Sequence, residues 1–432
     1  MNITVIGSGY VGTVTAASLA NLGHQVMAVD IDPAKIAWLQ QGKKFFYEPG
    51  LQELLQHNVE QRRLTFSADV QEGVKFGEVI FNCVGTPAQD DGAADLTAVW
   101  RVAEAVASTN EYKVFVNKST VPPGTARRCQ ALILGKNPAA EVDVVSNPEF
   151  LKQGNAVYDF NHPDKIVVGT SSERAREAVR KVYHGLVKSY LPYLEMDWET
   201  AEMAKYANNA FLATKISFIN EIANICSAVG AEVKEVAKAL GMDQRIGPKF
   251  LNAGIGYGGS CFAKDVKALI AAGKEKGYTP RLLQEVEQTN ERQKELFYPE
   301  IMAALKEVQG NTVTLWGLSF KPKTSDVRRA TSLCLIEKLL QAGITVKVFD
   351  PAAMGEVQKI VGDKIQYASS IEQSATASNI IVLVTEWDEF RNVNFTSLGE
   401  MMQSKILFDG RNIYEPEEVR AAGFRYVGVG RR

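Results

Sequence analysis

"ITVIGSGYVGTVTAASLANLGHQVMAVDIDP", residues 3–33, decides the fold. It reads as an apolar strand, a glycine turn, a helix of small and apolar residues, and a second strand ending at Asp30. Gly7, Gly9 and Gly12 form GxGxxG directly after the first strand. Gly7 allows the tight turn, Gly9 lets a pyrophosphate approach the backbone, and Gly12 lets the helix pack closely on the strand. The helix N-terminus favours an anion there. A carboxylate at Asp30 hydrogen-bonds ribose hydroxyls and repels a 2′-phosphate, which favours NAD over NADP. Lys35 complicates this, because a nearby cation accepts such a phosphate. The pattern also suits a Rossmann unit that binds FAD, another nucleotide, or nothing.

Outward from this unit, strand-like runs follow at "GEVIFNCVG", "KVFVNKS" and "VDVVSNP", with helical patterns between them. That alternation is a parallel α/β sheet. From about Asp197 to Val229 a helical pattern free of Pro and Gly predicts one long spine helix. The chain then repeats itself. "NTVTLWGLSFKP" is strand and turn, and "SLCLIEKLLQAGITVKVFDP" is helix and strand; Gly23 and Gly343 each stand seven positions before an aspartate, Asp30 and Asp350. The expected architecture is α/β: two Rossmann-like parallel-sheet domains joined by a long-helix central domain. The boundaries fall at 1–196, 197–308 and 309–432. The last domain has no GxGxxG, so it is expected to hold less than a dinucleotide, such as the nucleotide part of a substrate. Lys321, Lys323 and Arg328 in "FKPKTSDVR" offer phosphate contacts, or else form a solvated charged turn.

Composition narrows the function classes. The 432 residues are 46% apolar and 23% charged, with a net charge of −2. No basic excess exists for a general nucleic-acid binder. No apolar run reaches the ~18 residues of a membrane span, and the N-terminus reads as a strand rather than a signal peptide. The five cysteines (Cys83, Cys129, Cys226, Cys261 and Cys334) show no CxxC spacing. That suits a reducing cytoplasm with neither disulfides nor a metal cluster.

Cys261 lies in "GYGGSCFAKD", residues 256–265. A helix starting near Ser260 puts Cys261 in its first turn and Asp265 on the same face, with the dipole and Lys264 favouring a thiolate. A buried structural thiol is the plainer fate, and Cys83 and Cys226 fit it better. Joined to NAD, a nucleophilic thiol points to oxidation of an aldehyde to an acid through a thioester. Lys205 and Asn209, four apart on the spine helix, suit an oxyanion, or else form a solvated pair on an exposed helix face. Ser119, Thr120 and Glu149 end strands at the edge where α/β sheets bind ligands, or else belong to polar loops with a proline turn.

GSGYVG, CVGTP, KSTVPPGT, SNPEFLKQGNA, KYANNAF, GYGGSCFAKD, FKPKTSDVR and FDGRN occur here in that order. Over nearly the whole chain this resembles the UDP-glucose/GDP-mannose dehydrogenase family, nearest its UDP-glucose 6-dehydrogenases. The resemblance implies oxidation of UDP-glucose at C6 to UDP-glucuronate with two NAD. It implies Cys261 as nucleophile, Lys205 and Asn209 as oxyanion partners, Asp265 working with Thr120 and a water, and Glu149 as acid/base. It places Gly7, Gly9, Val11, Gly12, Asp30, Lys35, Thr86, Thr120, Glu149, Lys264 and Arg328 at NAD. It places Glu149, Phe150, Leu151, Lys152, Lys205, Asn209, Phe250, Asn252, Tyr257, Gly258, Cys261, Phe320, Lys321 and Arg411 at the substrate. Arg245 is expected to reach a second subunit's site, which makes a homodimer functional. Asn252 departs from members with lysine there, so its contact is expected to be neutral. The rival readings are the same chemistry on UDP-N-acetylmannosamine or GDP-mannose, a two-electron dehydrogenase with a structural Cys261, and a non-catalytic sensor.

Overall fold

The computed structural model describes residues 1–187 and 191–431. The chain divides into two compact units. The first comprises Met1–Asn208 with Lys267–Thr279, and the second Asn209–Val266 with Pro280–Arg432.

The first unit holds an eight-stranded sheet: β1 (Asn2–Ile6), β2 (Gln25–Val29), β3 (Leu64–Ser67), β4 (Val79–Asn82), β5 (Lys113–Asn117), β6 (Val142–Ser146), β7 (Ile166–Gly169) and β8 (Tyr193–Met196). Its order is β3-β2-β1-β4-β5-β6-β7-β8. Strands through β6 are parallel and apolar on both faces, as a sheet covered twice requires. Val5, Phe81 and Val116 face one core, while Ile6, Ile80 and Phe115 face the other.

One feature departs from the all-parallel expectation. β7 meets β6 antiparallel, at Ser146 and Gly169 only, and β8 runs parallel to β7. Between β6 and β7 lies "NPEFLKQG" and a six-residue helix, Ala156–Asn161. No longer helix carries the chain back across the sheet, so β7 enters from the edge where β6 ends.

The second unit holds β9 (Thr312–Trp316), β10 (Thr345–Phe349), β11 (Gln366–Tyr367), β12 (Ile380–Leu383), β13 (Ile406–Asp409) and β14 (Arg425–Gly428). These strands are all parallel, in the order β11-β10-β9-β12-β13-β14. That is the order of the first six strands of the other sheet, and the Rossmann order. The expected spine helix runs from Trp198 to Val229, 32 residues, ~48 Å long. Its turns through Asn208 belong to the first unit, the rest to the second.

Candidate active site

In the first unit the carboxyl ends of β1, β2, β4, β5 and β6 carry the expected cofactor residues other than Lys264 and Arg328, which belong to the second unit. Gly7 has φ of +96°, and a side chain there would lie 2.8 Å from the backbone of Cys83 and Val84. A side chain on Gly12 would overlap the Gly7 carbonyl. A Cβ on Gly9 meets nothing within 4 Å, and Gly9 starts the helix Tyr10–Asn21 with no side-chain cap. The loop is thus closed against protein at Gly7 and Gly12 and open at Gly9, where the helix presents bare N–H groups. Val11, in the helix's first turn, is half-buried against the core. Asp30 accepts the Ser8 N–H at 2.8 Å and the Asp32 N–H at 3.1 Å. Lys35 pairs with Asp30 at 2.9 Å, so its charge is directed to that carboxylate. An anion cradle beside a carboxylate fits the pyrophosphate and ribose of NAD.

The next loops are tied together. Thr86 Oγ1 donates to the Thr120 carbonyl at 2.9 Å, and Ser119 Oγ donates to the Val84 carbonyl at 2.7 Å. Glu149 is buried; its Oε2 accepts the Leu151 N–H at 2.6 Å, and its Oε1 lies 3.3 Å from Lys205 Nζ. The Lys205 ammonium sits 5.2 Å from the centre of the Phe150 ring. Lys152, more than half exposed, pairs with Asp159 at 3.2 Å.

In the second unit Asn209 Nδ2 donates to Asp265 Oδ2 at 2.6 Å, both side chains buried. Lys264 pairs with the other Asp265 oxygen at 2.6 Å. The helix Phe262–Glu275 starts later than expected. Cys261 therefore sits at its N-cap, not in its first turn: its carbonyl accepts the Asp265 N–H at 2.8 Å, the first bond of the helix. The thiol is exposed. Arg328, ion-paired to Asp326 at 2.6 Å, has its guanidinium pKa raised by that bond first, with Cys261 among the lesser causes.

The glycines beside Cys261 are packed closely against protein. A side chain on Gly258 would overlap the Arg329 carbonyl, and one on Gly259 (φ +87°) would lie 2.8 Å from the Phe320 ring. The loop is further held by Asn290, which bonds both the Tyr257 N–H and carbonyl, at 2.8 and 3.0 Å. Arg411 donates to the Gly256 carbonyl at 3.0 Å and the Val384 carbonyl at 2.7 Å. Phe250, at a φ of +65°, and Tyr257 meet Phe262 edge-on. Asn252 is exposed. Lys321 lies 5.7 Å from the centre of the Phe320 ring, and Lys323 pairs with Asp388 at 3.6 Å. Arg245 stands on an exposed turn, bonded to its own neighbour Asp243.

Two buried groups were absent from the sequence reading. Lys118, directly after β5, donates to Asn147 Oδ1 at 3.2 Å and lies 5.6 Å from the Tyr183 ring centre. Burial brings its pKa down to about 8; Lys205 adds to this, while Cys83 and Glu149 oppose it. Glu202 on the spine helix is pushed up to about 7, mainly by burial. Their signal was a charge inside an otherwise apolar stretch. Cys83 and Cys129, each pushed up to about 12 by burial, are structural thiols.

Comparisons agree along the whole chain. Residues 1–187 match the NAD binding domain of the UDP-glucose/GDP-mannose dehydrogenase family, 199–292 its central domain, and 314–416 its UDP binding domain. A UDP-glucose 6-dehydrogenase of Pseudomonas aeruginosa is 43% identical, covering 100% of this chain and 98% of its own. The solved UDP-glucose dehydrogenase of Pyrobaculum islandicum is 34% identical with a TM-score of 0.92, covering 100% and 98%. The UDP-D-ManNAc dehydrogenase of Pyrococcus horikoshii is 27% identical with a TM-score of 0.88, covering 100% and 99%. The chain therefore belongs to the UDP-glucose/GDP-mannose dehydrogenase family: it is an NAD-dependent oxidoreductase that dehydrogenates a nucleotide sugar.

Proposed function

We propose that the protein oxidises UDP-glucose at C6 to UDP-glucuronate, with Cys261 as a covalent nucleophile. The observation that carries this reading is the exposed Cys261 thiol at a helix N-cap, beside the buried Asn209–Asp265 pair. The names of the relatives at 43% and 34% identity support the choice of sugar.

Bound NAD supplies a two-electron acceptor, and two NAD are consumed per sugar. The balance is R–CH2OH + 2 NAD⁺ + H2O giving R–COO⁻ + 2 NADH + 3 H⁺. The protein's part is covalent and electrostatic. After the first oxidation the Cys261 thiolate adds to the C6 aldehyde, forming a C–S bond. Asn209 and the Lys205 ammonium stabilise the resulting oxyanion. The second oxidation leaves a thioester. A water held by Thr120 and Asp265 attacks it, Glu149 takes the water's proton, and the C–S bond breaks to return the thiolate. Gly7, Gly9, Val11, Gly12, Asp30, Lys35, Thr86, Thr120, Glu149, Lys264 and Arg328 serve NAD. Glu149, Phe150, Leu151, Lys152, Lys205, Asn209, Phe250, Asn252, Tyr257, Gly258, Phe320, Lys321 and Arg411 serve the substrate.

Residues 1–196 act as the NAD domain, 197–308 as the dimerisation region, and 309–432 as the UDP-sugar domain. Phe211, Phe218 and Ile225 recur every seven residues on the spine helix, exposed by 65, 49 and 52%. Such an apolar stripe supports a homodimer, in which Arg245 serves the neighbouring site. Among the described residues no cysteine forms a disulfide, which supports a cytoplasmic setting. Among the described residues no helix is long and apolar enough to cross a membrane.

The test is NADH formed per UDP-glucose consumed, for the native enzyme and Cys261→Ser. Two NADH, with the serine variant stalled, supports the route. One NADH, or a fully active serine variant, overturns it. UDP-N-acetylmannosamine and GDP-mannose in competition test the sugar.

A further inference from the structure

Glu202 lies on the spine helix one turn before Lys205, yet its carboxylate caps a different helix. Its Oε2 accepts the Gly124 N–H at 2.6 Å; its Oε1 accepts the Ala126 N–H at 2.8 Å and the Ser146 hydroxyl at 3.0 Å. The residue is 2% exposed. The helix Thr125–Lys136 begins after Gly124, which has no side chain with which to cap it. The cap comes instead from a residue 78 positions away.

Between β5 and that helix run residues 118–124. At their start, Ser119 and the Thr120 carbonyl are bonded to the loop after β4. Pro122 and Pro123 follow, with φ fixed and no N–H to donate. Glu202 anchors the far end. The segment is therefore pinned at both ends with little slack, and Thr120 lies in it, at the same sheet edge as the open Gly9.

We propose that Glu202 is a positioning residue for NAD, holding the 118–124 loop where it supports the cofactor. The idea rests on NAD dependence and not on which sugar is oxidised. A buried carboxylate accepting three donors is a rigid anchor.

The test titrates the full chain with NAD and no sugar, by calorimetry, in native protein, Glu202→Gln and Ser146→Ala. UDP is titrated as a control and thermal melting is recorded. Glu202→Gln keeps the shape but offers one acceptor oxygen instead of two. Its NAD Kd is expected to rise about tenfold, and that of Ser146→Ala about two- to threefold, with UDP affinity unchanged. An NAD Kd within twofold of native in Glu202→Gln overturns the proposal, whatever the melting temperature does. So does an equal loss of NAD and UDP affinity, which marks general loosening. If Glu202→Gln does not fold, Ser146→Ala decides by the same readings: an NAD Kd equal to native overturns it.

Discussion

The two sheets begin alike. Gly7 and Gly317 both have positive φ, at +96° and +86°, and both donate to the end of the neighbouring strand, to Val29 and Phe349. The next amide, of Ser8 or Leu318, donates to the aspartate beyond that strand, Asp30 or Asp350. After that they part. In the first unit Gly9 leaves open space and a helix starts at Tyr10. In the second the chain continues as a loop, and its next helix starts only at Thr331. Asp350 is filled by internal donors: Leu318, Ser319, Ala352 and Ala353 amides, the Ser319 hydroxyl and the Trp387 indole. Asp30 has fewer partners among the described residues: the Ser8 and Asp32 amides and the Lys35 ammonium. One scaffold serves two ends. In the first unit the loop leaves open space at Gly9; in the second it backs the segment that carries Cys261.

The most severe test of that contrast is the aspartates themselves. Asp350→Ala strands several buried donors and is expected to cost about 3–5 kcal/mol in urea unfolding. Asp30→Ala is expected to cost only about 1–2 kcal/mol. Equal losses for the two would break the comparison.

The ends of the fifth strands in each order sharpen it through pH. β5 is followed by buried Lys118, whose pKa is lowered to about 8; β13 ends in buried Asp409, whose pKa is raised by burial. Between about pH 8 and 10.4 the unfolded chain holds the Lys118 proton and the folded chain does not. Stability from this group therefore rises with pH across that window, by about 3 kcal/mol at most. Asp409 acts the other way: its contribution is full below the ordinary carboxylate range and is lost as pH rises through its folded pKa. Lys118→Met is expected to remove the alkaline rise, seen as urea midpoints against pH relative to native protein. An unchanged profile would show that folded Lys118 keeps its proton as long as the unfolded chain does, so that burial does not lower its pKa.

Asp30 is also proposed to set cofactor choice. Asp30→Ala is expected to weaken NAD roughly tenfold to a hundredfold, by loss of a charged hydrogen-bond acceptor. It also frees Lys35, so the preference for NAD over NADP should fall or invert in paired titrations. Retained NAD affinity would mean that Asp30 only braces the loop, as Asp350 does.

Most of this architecture was legible beforehand, and the exceptions have physical reasons. GxGxxG with Asp30, and the echo of "GITVKVFDP", declare two Rossmann units because glycine and strand-end carboxylate patterns are local. The spine helix was legible because no Pro or Gly interrupts it. The reversal at β7 was not, since "IVVG" and "YLEM" are too short to state a direction. The helix after Cys261 begins after the thiol rather than before it, a difference of the size by which helix ends vary. Lys118 and Glu202 were passed over because a charge in sequence does not reveal what surrounds it.

Two glycines give the finest version of the contrast. Both belong to motifs in which glycine suggests close approach to a ligand. A Cβ on Gly9 meets nothing, and its φ of −76° suits any residue, so Gly9→Ala is expected to cost at most about 1 kcal/mol, the loss of a favourable N-cap. Its penalty should fall on NAD, because the methyl occupies the space left for the pyrophosphate. Gly259→Ala carries a left-handed backbone and a methyl 2.8 Å from the Phe320 ring, so it should cost about 1–2 kcal/mol from the dihedral alone, and more from the clash. NAD binding to the free enzyme should hardly change, while turnover falls as Cys261 shifts. Adding Phe320→Ala relieves the clash and not the dihedral, so it should restore only part of the stability. Thermal melting and NAD titration on the same preparations separate the two glycines. If Gly259→Ala were the one to lose NAD while keeping its stability, the glycines beside the thiol would be facing a ligand after all.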